Sequence, residues 1–298
     1  MRLTLPSLRQ ALGLLAAVTT VVLVVVLSSI GTSNTARPQY DHYVAMGDSF
    51  TAAPYVPITD IARGCYRSRN NYPHLLADAM RIEELQDRSC TGARTDHLDD
   101  RQRTRLGGWV PPQFDALSER TDLVTLGIGA NNGRLYTKLA SACRRTQAVC
   151  PLHDRRAELR GIVNQVGPTL VETLGEVREL APNARVLLVG YPKLLPQRGS
   201  CDILPNFRPQ DRATFRGVNR QLREEMRGAA EEAGVEFVDF YRASIGHDIC
   251  SRRPWVQGRY GNGRKGAALH PLPAGQAVLA RIIETVLRTE PPETGEGS

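Results

Sequence analysis

Gly47-Asp48-Ser49 closes a run of strand character, Tyr43-Val44-Ala45-Met46, and the chain breaks up at once in Thr51-Ala52-Ala53-Pro54. A short buried strand that stops at a glycine and presents a serine lifts a hydroxyl out of a sheet. It also aims the following amides at whatever becomes bonded to that hydroxyl. Ser49 is the candidate nucleophile. A serine attacks well only when a base takes its proton, and six histidines are available: His42, His74, His97, His153, His247 and His270. His42 enters the first strand, far from its exit; His74 falls on a helix face; His97 and His153 sit in polar loops. His247 and His270 lie in the irregular region before the last helix, and His270 leads through Pro271-Leu272-Pro273 straight into that helix. His270 is the first candidate base and His247 the second, a surface histidine being the plain reading of either.

Acyl transfer also needs donors where the tetrahedral oxygen gathers negative charge. The backbone N–H of Ser49, the backbone N–H of Gly92 and the side-chain amide of Asn131 all fall where segments leave strands. Their plain readings are a turn glycine for Gly92 and a strand-end cap for Asn131. Two other patterns carry no chemistry. Gly261-Asn262-Gly263-Arg264-Lys265-Gly266 fits G-x-G-x-x-G but follows no strand and opens no helix, so dinucleotide binding is not expected. Around Ser49 the second glycine of a G-x-S-x-G elbow is missing, and the serine comes after the first strand rather than after several.

The elements that must position these residues are legible as apolar runs. Strands are expected at Tyr43–Gly47, 121–129, 184–190 and 235–240, and helices over 72–80, 154–180 with a kink at Gly167-Pro168, 208–233 and 273–289. A short helical insertion is expected over 134–153, and loops over 52–70, 94–112 and 191–210 are expected to line an acyl pocket. Apolar strands alternating with long helices point to an α/β protein with a parallel sheet covered on both faces, whose site lies outside the carboxyl ends of its strands. No internal repeat and no second domain is visible.

Composition bounds the setting. The 298 residues carry a net charge of +7, but the arginines are dispersed and interleaved with acids, so a nucleic-acid surface is not expected. From Ala11 to Ile30 the chain is apolar and uncharged, with Arg2 and Arg9 before it. Residues 1–36 are therefore expected to be a signal peptide or an N-terminal membrane anchor through residues 11–30, placing the remainder outside the cytoplasm. Six cysteines, none spaced as in a zinc or thioredoxin motif, then favour disulfides over metal binding. Neighbour pairing is expected, Cys65–Cys90, Cys143–Cys150 and Cys201–Cys250, because each pair brackets a loop-rich stretch. The tail over 289–298 is Pro-, Glu- and Gly-rich and is expected to be disordered.

Gly47-Asp48-Ser49-Phe50, Gly92, Gly129-Ala130-Asn131-Asn132 and His270-Pro271 together resemble the four ordered blocks of the SGNH (GDSL) hydrolase superfamily. The resemblance spans about residues 40–288 and is strongest to the secreted actinobacterial esterase, lipase and phospholipase branch, whose members carry three disulfides. It implies a flavodoxin-like three-layer α/β/α sandwich with a central, mostly parallel sheet. It also implies Ser49 as nucleophile, His270 as base, and Ser49 N–H, Gly92 N–H and Asn131 as the oxyanion hole. The chain departs from the pattern in carrying Asn132 where the third block has Asp, and Ala267 where many members have an Asp three residues before the histidine. In the resembling branch a backbone carbonyl orients the histidine, and the carbonyl of Ala267, or a close neighbour, is expected to do so here; Asp248 is the nearest acid that could do so instead. The expected protein is an extracytoplasmic serine hydrolase of carboxylic esters, lipid or phospholipid esters first, monomeric and working without metal or cofactor. A deacetylase of cell-envelope glycans is the alternative enzyme, and a catalytically weak, membrane-anchored binding protein is the alternative from another class.

Overall fold

The structure, a computed structural model, describes residues 39–141, 151–202 and 207–289. Chain contacts gather residues 38–298 into one compact unit. The expected leader or anchor over 1–36, the Cys143–Cys150 pair and the tail beyond Thr289 lie outside the described residues. Among the described residues no helix is long and apolar enough to cross a membrane.

The strands are β1 (His42–Gly47), β2 (Thr59–Asp60), β3 (Arg67–Ser68), β4 (Glu84–Asp87), β5 (Gln102–Arg103), β6 (Trp109–Val110), β7 (Leu123–Gly127), β8 (Arg185–Val189) and β9 (Glu236–Val238). The helices are α1 (Ser49–Ala52), α2 (Tyr72–Met80), α3 (Leu135–Ser141), α4 (Arg156–Asn164), α5 (Val166–Leu180), α6 (Pro209–Glu232), α7 (Phe240–Ala243) and α8 (Pro273–Leu287). Five strands form one parallel sheet in the order β4-β1-β7-β8-β9. Chain order reverses between β1 and β7, the place where such sheets open a crevice beyond their carboxyl ends. β2–β3 and β5–β6 form two small antiparallel ribbons beside it.

Side chains alternate across the sheet, as the pleat requires. Val44, Met46, Val124, Leu126 and Leu188 face one core, with Leu159, Val163, Leu170, Phe215 and Met226 of α4, α5 and α6. Tyr43, Ala45, Leu123, Leu187 and Val189 face the other, with Leu76 of α2 and Leu279 and Ile283 of α8. Two apolar layers, one on each face of the sheet, make the three-layer α/β/α sandwich that the resemblance implied.

The β2–β3 and β5–β6 ribbons lie in expected loops, and the last strand stops at Val238, with Phe240 opening α7; two further differences have a direct physical cause. β4 was not anticipated: its sequence Glu84-Leu85-Gln86-Asp87 is polar because it is the sheet's edge, and only Asp87 of it is fully buried. The helix expected over 154–180 is two, broken at Gln165 rather than kinked at Gly167-Pro168. Pro168 has no N–H to give the carbonyl four residues back, Asn164, so that turn cannot continue and a new helix starts just before the proline.

Disulfides join Cys65 to Cys90 and Cys201 to Cys250. The first ties the β2–β3 ribbon to the segment leaving β4. The second ties the segment after β8 to the one after α7.

β1 and β7 pair with Gly47 opposite Gly127. A Cβ on Gly47 would lie 2.4 Å from Thr51 Oγ1 and 2.5 Å from the Gly127 carbonyl oxygen, and its φ of +150° is one that side chains rarely adopt. Gln113 closes the same place by accepting from Gly47 N at 2.7 Å and donating to Gly47 O at 3.0 Å. Gly47→Ala is expected to cost about 2–4 kcal/mol, as strain plus overpacking at a closed backbone crossing. Urea unfolding monitored by circular dichroism checks this, and an unchanged midpoint would contradict it.

Candidate active site

β1 ends at Gly47, and Asp48 caps the short helix α1 by accepting from Phe50 N at 2.8 Å. That cap places Ser49 at the first position of α1, where a backbone N–H has no intrahelical partner. The side chain of Ser49 meets His270, whose Nε2 lies 2.7 Å from Ser49 Oγ across 221 positions of sequence. The other ring nitrogen, Nδ1, lies 2.7 Å from the carbonyl oxygen of Ala268. A carbonyl can only accept, so Nδ1 carries the proton and Nε2 is left as the acceptor for the serine hydroxyl.

The carbonyl in contact is that of Ala268, not the expected Ala267. The Ala267 carbonyl is occupied one step away, accepting from His270 N at 3.2 Å across a tight turn. Leu269 takes a left-handed φ of 59° inside that turn, as the third residue of a type II turn does. The turn's middle carbonyl, that of Ala268, thereby becomes free for the ring. Tyr136 Oη donates to the same Ala268 oxygen at 2.8 Å and lies 3.1 Å from His270 Nδ1. Phe50 stacks on the imidazole, centroids 4.8 Å apart. The turn is held from outside by Ala267 N on Pro54 O, at 3.0 Å, and by Gln257 N on His270 O, at 2.8 Å.

His270 is buried, and burial pulls its pKa from 6.5 down to about 4. The Ala268 bond opposes this shift and the Arg105 charge adds to it. The ring is therefore neutral over most of the pH scale, with its lone pair toward Ser49. Asp48 is also buried, and burial pushes its carboxyl up to about 7 against the bonds from Tyr191 and Phe50. Its Oδ2 accepts from Tyr191 Oη at 2.7 Å, and Ala130 N donates to that same phenol at 3.0 Å. Asp48 is thus spent on the backbone of α1 and on the loop after β7, and among the described residues no carboxylate reaches His270.

Gly92 and Asn131 arrive beside Ser49 from the exits of β4 and β7. Gly92 has a φ of +84°, left-handed backbone that favours glycine, and its N–H has no partner among the described residues. Asn131 Nδ2 donates to Ala93 O at 3.0 Å and lies 3.4 Å from Asp48 Oδ2. Asn132, in the place of the family's aspartate, accepts from Thr95 N at 3.2 Å and donates to Thr95 Oγ1 at 3.0 Å. It pins the loop after Gly92 to the loop after β7.

Ser49, Gly92, Asn131 and His270 line one cleft of about 300 Å³. The expected loops 52–70 and 94–112 contribute Tyr55, Tyr66 and Arg105. No described residue of loop 191–210 lines the cleft; Arg134 and Tyr136, around the start of α3, line it as well. His247, the second candidate base, is stacked flat on Trp255, centroids 3.9 Å apart, with Nδ1 on Arg253 O. Asp248 is used by Cys250 N at 3.0 Å. Tyr136, Tyr191 and Gln113 had no signal in the sequence, since each belongs to the site only through a long-range contact.

A model of the GDSL-like Lipase/Acylhydrolase family matches residues 45–278. "Lipase 2" of Streptomyces coelicolor is 35% identical over 264 residues, covering 85% of this chain and 87% of that protein. The chain belongs to the GDSL-like lipase and acylhydrolase family and is a carboxylic ester hydrolase. Its fold is similar to a phospholipase A1 from Streptomyces albidoflavus, at TM-score 0.71 and 24% identity over 83% of this chain and 99% of that one. It is equally similar to an extracellular lipase from Streptomyces rimosus, at TM-score 0.70 and 24% identity over 82% and 99%.

Because the folded pKa of His270 lies below the ordinary 6.5 of a free histidine, the stability carried by the neutral ring is complete above about 6.5 and is lost as pH falls toward about 4. An NMR titration of the His270 imidazole is expected to show a midpoint near 4. A midpoint at the free-histidine value would contradict a buried, carbonyl-bound ring.

Proposed function

We propose that this protein is an extracytoplasmic serine hydrolase that cleaves lipid esters through an acyl-enzyme on Ser49. The observation that carries the reading is the 2.7 Å contact between Ser49 Oγ and the lone-pair nitrogen of a buried His270, set in a cleft that also holds Gly92 and Asn131. Ser49 Oγ attacks the acyl carbon while His270 Nε2 takes its proton. Negative charge on the carbonyl oxygen is met by the N–H groups of Ser49 and Gly92 and by Asn131 Nδ2, whose long bond to Asp48 is the one an oxyanion displaces. The leaving alcohol takes the proton from His270, and the acyl group remains on Ser49. Water then attacks with His270 again as base, releasing the acid and the serine.

The orienting group is a carbonyl, so it fixes the tautomer and the ring plane, but it balances the transient imidazolium with a dipole and not a full charge. Phe50 and Tyr136 hold the ring in the same orientation. Among the described residues the cleft is lined by Arg94, Arg105 and Arg134 and by no carboxylate, which favours an ester with an anionic group nearby, such as a phospholipid. Two disulfides in the described residues fit an oxidising compartment, as does the likeness to a lipase described as extracellular.

Ser49→Ala and His270→Ala are each expected to lower kcat on nitrophenyl butyrate by about a thousandfold or more. Full activity in both variants would end the assignment. Arg105→Ala is expected to raise KM for an anionic phospholipid about tenfold more than for the neutral nitrophenyl ester. Equal effects on the two substrates would remove the anionic-ester reading. In wild type kcat/KM is expected to fall as pH drops through about 4, where His270 protonates.

A further inference from the structure

Among the described residues eight large apolar side chains stand exposed, and five of them, Tyr55, Ile58, Ile61, Leu106 and Trp109, sit on two neighbouring loops. Ile58 and Ile61 flank β2, while Leu106 and Trp109 belong to the turn and second strand of the β5–β6 ribbon. The two loops touch: a Cβ on Gly64 would lie 2.4 Å from Thr104 Oγ1 and 3.5 Å from Leu106 Cβ. Ile58 is 70% exposed and Trp109 63%, values that no packed loop needs and that single scattered residues do not explain. Over residues 55–69 and 101–110 the chain carries six arginines and one carboxylate, Asp60. A groove of about 610 Å³ runs beside Trp109, with Arg63, Arg67, Arg69 and Arg88 set against Asp60 and Asp87. Arg67 pairs with Asp87 at 3.6 Å, and the Arg101 guanidinium lies 5.7 Å from the Trp109 ring; Arg63, Arg69 and Arg88 form no ion pair among the described residues. Tyr55 and Arg105, at the inner edge of the same surface, line the catalytic cleft.

We propose that these two loops form a docking face for an anionic phospholipid surface. Ile58, Ile61, Leu106 and Trp109 enter the interface, the arginines of the groove meet the headgroup phosphates, and the mouth of the cleft is set down on the bilayer. Isolated apolar tips among cations, with an arginine-lined groove behind, match the headgroup and acyl boundary of a membrane. The positive charge selects an anionic surface over a zwitterionic one. This goes beyond the ester-hydrolase reading, and the test separates the two.

The chain has two tryptophans, and the apolar segment 11–30 contains neither. Quenching by bromine in the acyl chains therefore reports on the faces around Trp109 and Trp255 and not on that segment. The full-length protein is titrated with brominated phosphatidylglycerol or phosphatidylcholine vesicles. Emission is expected to be quenched at least fivefold more effectively by phosphatidylglycerol, less so at high salt, with most of the quenching absent in Trp109→Phe. The double variant Ile58→Ser/Leu106→Ser is expected to partition about tenfold more weakly while hydrolysing soluble nitrophenyl butyrate within twofold of wild type. Equal quenching by the two lipids, no quenching, or an unchanged double variant would overturn the proposal. So would a concentration-dependent dimer abolished by Ile58→Ser, which would assign the face to a second copy. Absence of docking by the wild-type protein, with its Ser49-dependent ester hydrolysis intact, would count against this face alone.

Discussion

A buried imidazole must have both nitrogens partnered, and in this protein the two partners are a serine hydroxyl and a single main-chain carbonyl. From that constraint the tautomer, the plane and the proton direction of His270 all follow. A carboxylate in the carbonyl's place would have added charge. The carbonyl instead gives a dipole that cannot titrate, while burial keeps the ring neutral down to about pH 4. The carbonyl points correctly because Leu269 holds a left-handed backbone angle, an expense of strain that the surrounding contacts impose. Those contacts come from Pro54, Gln257 and Tyr136, so three separate parts of the chain fix one turn.

The serine side is fixed with equal economy. Gly47 lets β1 and β7 approach until no Cβ fits, which brings Ser49 and the Asn131 loop to the same crevice. Asp48 spends its buried carboxylate on the first turn of α1 and on Tyr191. Gln276, wholly buried in α8, accepts from Tyr72 N at 2.7 Å and donates to Phe50 O at 2.9 Å. That side chain locks the helix that follows His270 onto the residue that follows Ser49. The distance between His270 and Ser49 is therefore set by packed elements and not by the loops that carry the two groups.

How far the sequence could be read follows from the same physics. Ser49 and Asn131 could be picked out as candidates because each is a polar residue where an apolar run ends, and His270 because it leads straight into the last helix; Gly92 had no apolar run before it. The buried strands β1, β7 and β8 were legible as continuous apolar segments, and α2, α6 and α8 by their spacing. β4 was invisible because an edge strand with three part-exposed positions need not be apolar. Gln165 as the break between α4 and α5 was missed because the proline that causes it stands three residues later, inside the next helix. Ala268 could not be told from Ala267, since a carbonyl's direction depends on backbone angles that alanines do not announce. Tyr136 and Tyr191 act across 134 and 143 positions of sequence, and no local pattern marks such a pairing.

The central claim is that Ser49 is a nucleophile activated by a histidine that no carboxylate orients. Covalent trapping tests it most directly: the full-length protein is incubated with a fluorophosphonate at neutral pH and the modified peptide is mapped by mass spectrometry. One phosphonyl group is expected on Ser49, formed at least a hundredfold more slowly in His270→Ala and at an unchanged rate in Asp248→Asn. No adduct on Ser49, or a loss of labelling in Asp248→Asn as large as that in His270→Ala, would contradict it.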